Sequence, residues 1–137
     1  MESHNNKEKR KYPRVVVDLP FEYHEKDESC LYGGMVINAG EGGFLIESTR
    51  DIPVGTELTI TVLFAKGNRL DDFQVVAKIV WKKLHSKEDF NGKQFWRGYQ
   101  YGLEFVQMSD EDRRNLTFVI GGRFEFEEIL PSLSLQL

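Results

Sequence analysis

From Val15 the chain alternates. Val15, Val17, Leu19, Phe21 and Tyr23 fall on one side and Asp18 and Glu22 on the other, the period-two pattern of a half-buried strand. Pro20 lies on the outward side and suggests an edge position, because proline cannot donate to a ladder. The polar run 24–29 reads as a turn. Leu31 to Asn38 reads as a second strand, weakened by Gly33 and Gly34, and residues 39–43 (AGEGG) as a tight connection into a third strand, Phe44 to Ser48. After a loop at 49–56, Leu58, Ile60, Val62 and Phe64 alternate with Thr59 and Thr61 in a fourth strand. Residues 65–72 read as a turn. Phe73, Val75, Ala77, Ile79 and Trp81 alternate with polar neighbours in a long fifth strand, 85–93 as a polar connection, and Tyr99, Tyr101, Leu103 and Phe105 mark a sixth. The period then changes. Ser109 is placed to cap a helix whose first turn is Asp110-Glu111-Asp112, Leu116, Val119 and Ile120 share one helical face, and Gly121 and Gly122 end it. Six short strands and one terminal helix predict a mainly β fold, a six-stranded antiparallel β-barrel with a C-terminal α-helix.

Length and composition narrow the class. A chain of 137 residues, 40% hydrophobic and 29% charged, suits one soluble domain. No apolar run approaches the roughly 20 residues needed to cross a bilayer, and the polar start MESHNNKEKRK lacks the apolar core of a secretory signal. The single cysteine, Cys30, excludes an intrachain disulfide and fits a reducing cytoplasm, so the expected location is cytoplasmic. A formal net charge of −4 argues against a general binder of nucleic acid polymers, but the charge is uneven. Residues 1–14 hold five basic residues against two acids, a net +3 that leaves −7 for the rest. A basic arm on an acidic body suggests a local anion site.

Signals of catalysis are nearly absent. His4, His24 and His85 are scattered, without metal-ligand spacing to one another or to Cys30. The acids at 110–112 are explained by a helix start, where the macrodipole favours them. Trp81, Phe95, Trp96, Tyr99 and Tyr101 read as barrel core rather than a stacking platform, since no positive groove accompanies them. The chain is therefore not expected to be an enzyme, and no metal or cofactor is expected. Two stretches remain. Arg10 and Arg14 stand four apart, which on a helix would be one face, but Pro13 between them breaks the helix and pushes Tyr12 toward extended geometry. Taken alone the pair reads as a solvated basic arm, and INAGEGGF (37–44) alone as an ordinary glycine-rich connection. Together they are the parts of a nucleotide site. Arginines bind phosphate bidentately and stack on planar bases, Asn38 offers a donor and an acceptor to a base edge, and Gly40 and Gly43 let backbone and its N–H groups approach a ligand.

On these residues the chain resembles the PilZ domain family. The RxxxR motif is matched by Arg10-Lys11-Tyr12-Pro13-Arg14, and (D/N)xSxxG is matched in part by Asn38-Ala39-Gly40-Glu41-Gly42-Gly43. The segment 101–120 resembles the family's last strand leading into its helix. The resemblance implies a flexible arm at 1–8, a PilZ domain over 9–121 and a tail at 122–137 whose apolar-acidic pattern fits strand or helix. It implies a receptor or adaptor for the bacterial second messenger cyclic di-GMP. Arg10 and Arg14 would hold phosphate and guanine, with Lys9 and Lys11 beside them, Asn38 would meet a guanine edge, and Gly43 would keep the loop tight. Gly40 replaces the family's serine, which removes one hydroxyl from the ligand. The expected output is an arm that folds over the barrel on binding and is read by a partner protein; the alternative is a degenerate PilZ interaction module with weak or no nucleotide binding.

Overall fold

In the computed structural model the described residues are 14–121. Lys9, Arg10, Lys11, the arm and the tail from 122 lie outside them. Six strands, β1 (Val15–Glu25), β2 (Tyr32–Ala39), β3 (Gly43–Ser48), β4 (Glu57–Lys66), β5 (Arg69–Glu88) and β6 (Gln94–Gln107), run in that order. They pair antiparallel around a closed barrel in the order β1-β2-β3-β6-β5-β4. Helix α1 covers 110–121.

The alternation does what its period demands. Phe21, Tyr23, Ile46, Ile60, Val75 and Leu103 all point inward and are almost fully buried. Each end of this core is closed. At one end, α1 sends Leu116 and Val119 into the core. Its start is capped as the sequence predicts: the Asp112 amide donates to Ser109 Oγ at 3.1 Å, and the hydroxyl donates back to Asp112 Oδ2 at 2.6 Å. Asp112 Oδ1 also accepts from the Gln74 amide at 2.9 Å, so the acid both caps the helix and ties it to β5. At the other end, the loop 49–56 inserts Ile52, 1% exposed. The Tyr101 hydroxyl fixes that loop by donating to the Arg50 carbonyl at 2.5 Å and accepting from the Ile52 amide at 2.8 Å. Burial raises the Tyr101 pKa above the ordinary phenol value, in spite of the bond from Ile52, so the hydroxyl keeps the proton that this closure needs.

Three expectations change. Because the ring is closed, β1 is not an edge strand, yet the Pro20 signal has a local cause. The β1–β4 ladder begins only at Phe21, so Pro20 lies where β1 is paired on one side, to β2. Both segments read as turns carry strand: in 65–72 only 67–68 turn between β4 and β5, and in 85–93 the first four residues continue β5 and the turn is confined to 89–93. Polar composition hid residues 85–88 because the β5–β6 hairpin leaves the barrel there and has no apolar core to alternate against. Finally, Trp81 is not core. The ladder shifts between Ile79 and Trp81, and the extra residue turns the indole to the outer surface, where it is 40% exposed. Phe95, 68% exposed, is likewise outside the core, whereas Tyr101 is fully buried.

Candidate functional site

The glycine-rich stretch forms the β2–β3 turn. The Gly40 amide donates to the Gly43 carbonyl at 3.0 Å, and the Phe105 amide donates to the Gly42 carbonyl at 3.0 Å. The turn thus consumes the Gly40 N–H, which sequence reasoning left available to an anion. Gly43 has a packing reason of its own. A side-chain carbon there would overlap the Leu103 carbonyl oxygen of β6, so only glycine lets β3 approach this closely.

Asn38 lies just before this turn, and its position follows from a β2 irregularity. The ladder to β3 shifts between Val36 and Asn38, so Ile37 is extra and Asn38 is carried opposite Leu45. Its side-chain oxygen Oδ1 is buried and has no hydrogen-bond partner among the described residues. A buried amide oxygen left without a donor is costly, and it marks a place where a donor is missing.

The register extends this position into a row. Val16 pairs with Asn38, Asn38 with Leu45, Leu45 with Gly102, and Gly102 with Trp81. Paired residues share a face, so five strands contribute to one outer strip. Gly102 is smooth for a reason: a side chain there would overlap the Trp81 indole, which lies over it. The strip therefore runs from an unsatisfied amide oxygen across a low floor to an aromatic wall. Arg14 precedes Val15, which pairs with Ala39, so it enters β1 beside Gly40. Its side chain is half-buried. The structure thus brings Arg14, Asn38, Gly40 and Gly43 to one corner; Lys9, Arg10 and Lys11 fall outside the described residues. Sequence reading missed Trp81. Alternation put it inward, and only the bulge, which leaves no local sequence signal, turns it outward.

A second cationic group sits at the opposite end. Arg50 stacks on Tyr32, with its guanidinium carbon 3.6 Å from the ring centre, and pairs with Glu25 at 3.1 Å. Burial alone would lower its pKa, but bonds to Glu25 and Tyr23 outweigh that and raise it. Its acid and aromatic partners make it a structural clamp. Among the described residues no group of three His, Cys, Asp or Glu could hold a metal ion. No helix among them is long and apolar enough to cross a membrane.

A closed six-stranded barrel with a glycine turn at one mouth and a terminal helix defines a class of small β domains. The chain belongs to the PilZ domain family, whose model matches residues 8–121. Solved structures agree on the fold. The PilZ domain of YcgR from Escherichia coli, with c-di-GMP, superposes with a TM-score of 0.69 at 15% identity, covering 88% of this chain and 96% of that one. The Bacillus subtilis inhibitor of motility MotI/DgrA gives 0.63 at 13% identity, covering 85% and 52%. MrkH, described as a c-di-GMP-dependent transcription regulatory factor, gives 0.61 at 14% identity, covering 94% and 52%, so the chain spans about half the length of these last two. No curated protein matches the chain.

Proposed function

We propose that the chain is a cytoplasmic receptor for cyclic di-GMP, with no catalytic role, that binds the nucleotide on the outer strip between Asn38 and Trp81. The unpartnered Asn38 oxygen carries this reading. Guanine's base-pairing edge presents N–H donors, the chemistry that a buried amide oxygen lacks. Trp81 offers a face for stacking, worth ~1–3 kcal/mol per base. Arg10 and Arg14, flanked by Lys9 and Lys11, supply charge-assisted contacts to phosphate and guanine. Residues 9–121 form the receptor domain and 1–8 the arm before it, and Pro13 keeps the Arg10–Arg14 stretch from becoming helical. The arm closes over the ligand, and its new position is read by a partner protein. The YcgR and MrkH structures named for complexes with c-di-GMP support the ligand class by likeness of fold.

Calorimetry with cyclic di-GMP tests the reading. Saturable binding is expected, with GMP and the linear dinucleotide much weaker. Arg14→Ala should cost ~1.5–3 kcal/mol, the scale of a hydrogen bond to a charged group. Absence of binding in folded protein favours the second reading, an interaction module that has lost its nucleotide, to which Gly40 in place of the family's serine points. Trypsin digestion tests the arm: bound nucleotide should slow cleavage after Arg10 and Arg14, and unchanged cleavage would remove the arm from the mechanism.

A further inference from the structure

Beyond the barrel, the strands of β5 and β6 continue as an arm that ends at the turn 89–93. The arm is built to hold one shape. At its tip the Asp89 carboxylate accepts from the Asn91 and Lys93 amides, both at 2.9 Å, and Gly92 takes the positive φ of 82° that the turn needs. One face is pinned to the barrel. Glu47 on β3, buried under the arm, pairs with Lys87 at 2.7 Å and accepts from Gln100 at 3.1 Å, with His85 at 3.7 Å and Trp96 beside Lys87.

The other face and one edge are uncovered. Leu84 pairs with Tyr99 and Ser86 with Arg97, which places Leu84 and Arg97 on the side away from Lys87. Leu84 is 58% exposed, and Phe90 at the tip is 98% exposed. On the edge, β4 pairs with β5 only as far as Lys78, and the loop bonds end at Ile79, so from Val80 to Glu88 that side of β5 meets no strand among the described residues. Residues 80–98 carry five basic side chains against two acids in a chain that is acidic overall. Lys83, Lys93 and Arg97 have no acid partner among the described residues.

Lysines on an open edge discourage pairing between copies. Protection alone does not account for the rest, since it would not also hold Leu84 on the strand and Phe90 on the fastened turn in solvent. We propose that this arm is a docking site for a partner protein's extended, acidic segment, which adds as a strand to the β5 edge from Val80 to Glu88 and sets carboxylates against Lys83 on the Lys87 side, against Arg97 on the opposite side and against Lys93 by the tip. Main-chain bonds along the edge would supply affinity, and the basic side chains would select the charge of the segment. A protein segment fits better than a nucleic acid because the uncovered feature is a row of main-chain N–H and C=O groups from Val80 to Glu88, which a second strand satisfies in both directions and a phosphate backbone, with no donors, does not. The proposal does not depend on the nucleotide site.

The test uses the full chain and a fluorescein-labelled peptide, Ac-Val-Glu-Glu-Phe-Glu-Glu-Val-NH2, which as a strand shows glutamates on both faces, followed by anisotropy. Trp81 and Trp96 are the only tryptophans, so intrinsic emission reports on the arm and its base. The expected result is saturable binding with a change in tryptophan emission. Affinity should fall at least about tenfold when lysine replaces every glutamate, when alternate peptide nitrogens are methylated, or in a Lys83→Glu/Lys93→Glu/Arg97→Glu variant whose circular dichroism is unchanged. Leu84→Ser should weaken binding without altering its salt dependence. Equal binding of the acidic and lysine peptides, no binding at about millimolar protein, or full affinity in the triple charge variant would each overturn the proposal. So would preferential capture of a single-stranded oligonucleotide that the same charge reversal abolishes, which would make the arm a nucleic-acid ribbon.

Discussion

Strands β5 and β6 live two lives. Their barrel halves sit in the ring, where Phe73, Val75, Ala77 and Ile79 alternate buried with exposed and each strand has a neighbour on both sides. Among the described residues, their outer halves pair as strands only with each other. The chemistry changes at the bulge after Ile79. Inside the ring, a side chain is specified by the space it fills. Outside it, burial stops specifying residues, and what remains is Glu47's hold on Lys87, an Asp89-fastened turn and cations without an acid partner among the described residues. The candidate nucleotide strip lies at the seam, using the ring for precision and the bulge to present Trp81.

The largest effect expected from this contrast is in the ring. Gly43→Ala would press a methyl into the Leu103 carbonyl, and backbone on both sides leaves nothing that can swing away. The loss of stability should be about 3 kcal/mol, the upper range for overpacking, read as a lower urea midpoint. A loss below about 1 kcal/mol would mean that the β3–β6 contact is looser than described.

The next test is at the pin. Burial would raise the Glu47 pKa, but hydrogen bonds from Lys87 and Gln100, with the charges of Lys87 and His85, outweigh it and hold the carboxyl below its ordinary value. A depressed folded pKa contributes stability that is present above the ordinary value of 4.5 and is lost as pH falls through the lower folded value. Lys87→Met should cost about 1–2 kcal/mol at neutral pH, allowing for Lys87's partial exposure, and leave stability in acid nearly unchanged. Denaturation at pH 7 and pH 3 separates the two. A uniform loss would show that Lys87 acts through packing of its stem over Trp96.

The same division explains what could be read from sequence. Phe21, Ile60 and Val75 were legible because a closed barrel obeys a period of two, and Ser109-Asp110-Glu111-Asp112 because capping chemistry is local. The outer hairpin was not, since its residues 85–88 face no apolar core. Trp81 and the position of Asn38 depend on bulges, at Val80 and Ile37, that arise from pairing with other strands. The motif residues Arg14, Asn38, Gly40 and Gly43 were visible as types and spacing. That a register row joins Asn38 to Trp81 was not.

Gly102→Ala probes the seam with a smaller effect. The added methyl meets the Trp81 indole rather than backbone, and an exposed ring can move. Stability should change by no more than about 1 kcal/mol, while tryptophan emission shifts to the red and affinity for cyclic di-GMP falls. Unaltered affinity with a displaced indole would take Trp81 out of the ligand site.

The smallest effect expected is at Gly40, and it separates the two readings of the strip. Gly40 is not among the glycines held at positive φ, which are Gly55, Gly67 and Gly92, so a serine there is free of left-handed strain. Its amide is already bonded to the Gly43 carbonyl, so the substitution adds a hydroxyl without removing a bond from the turn. If the nucleotide lies between Asn38 and Trp81, with Arg14 entering beside Gly40, the new hydroxyl stands next to it. Gly40→Ser should then tighten binding of cyclic di-GMP by up to about 1 kcal/mol, near fivefold. Titration calorimetry on both proteins measures the difference. A stable Gly40→Ser protein with unchanged affinity would mean that the turn stands apart from the ligand and that Asn38 finds its missing donor elsewhere.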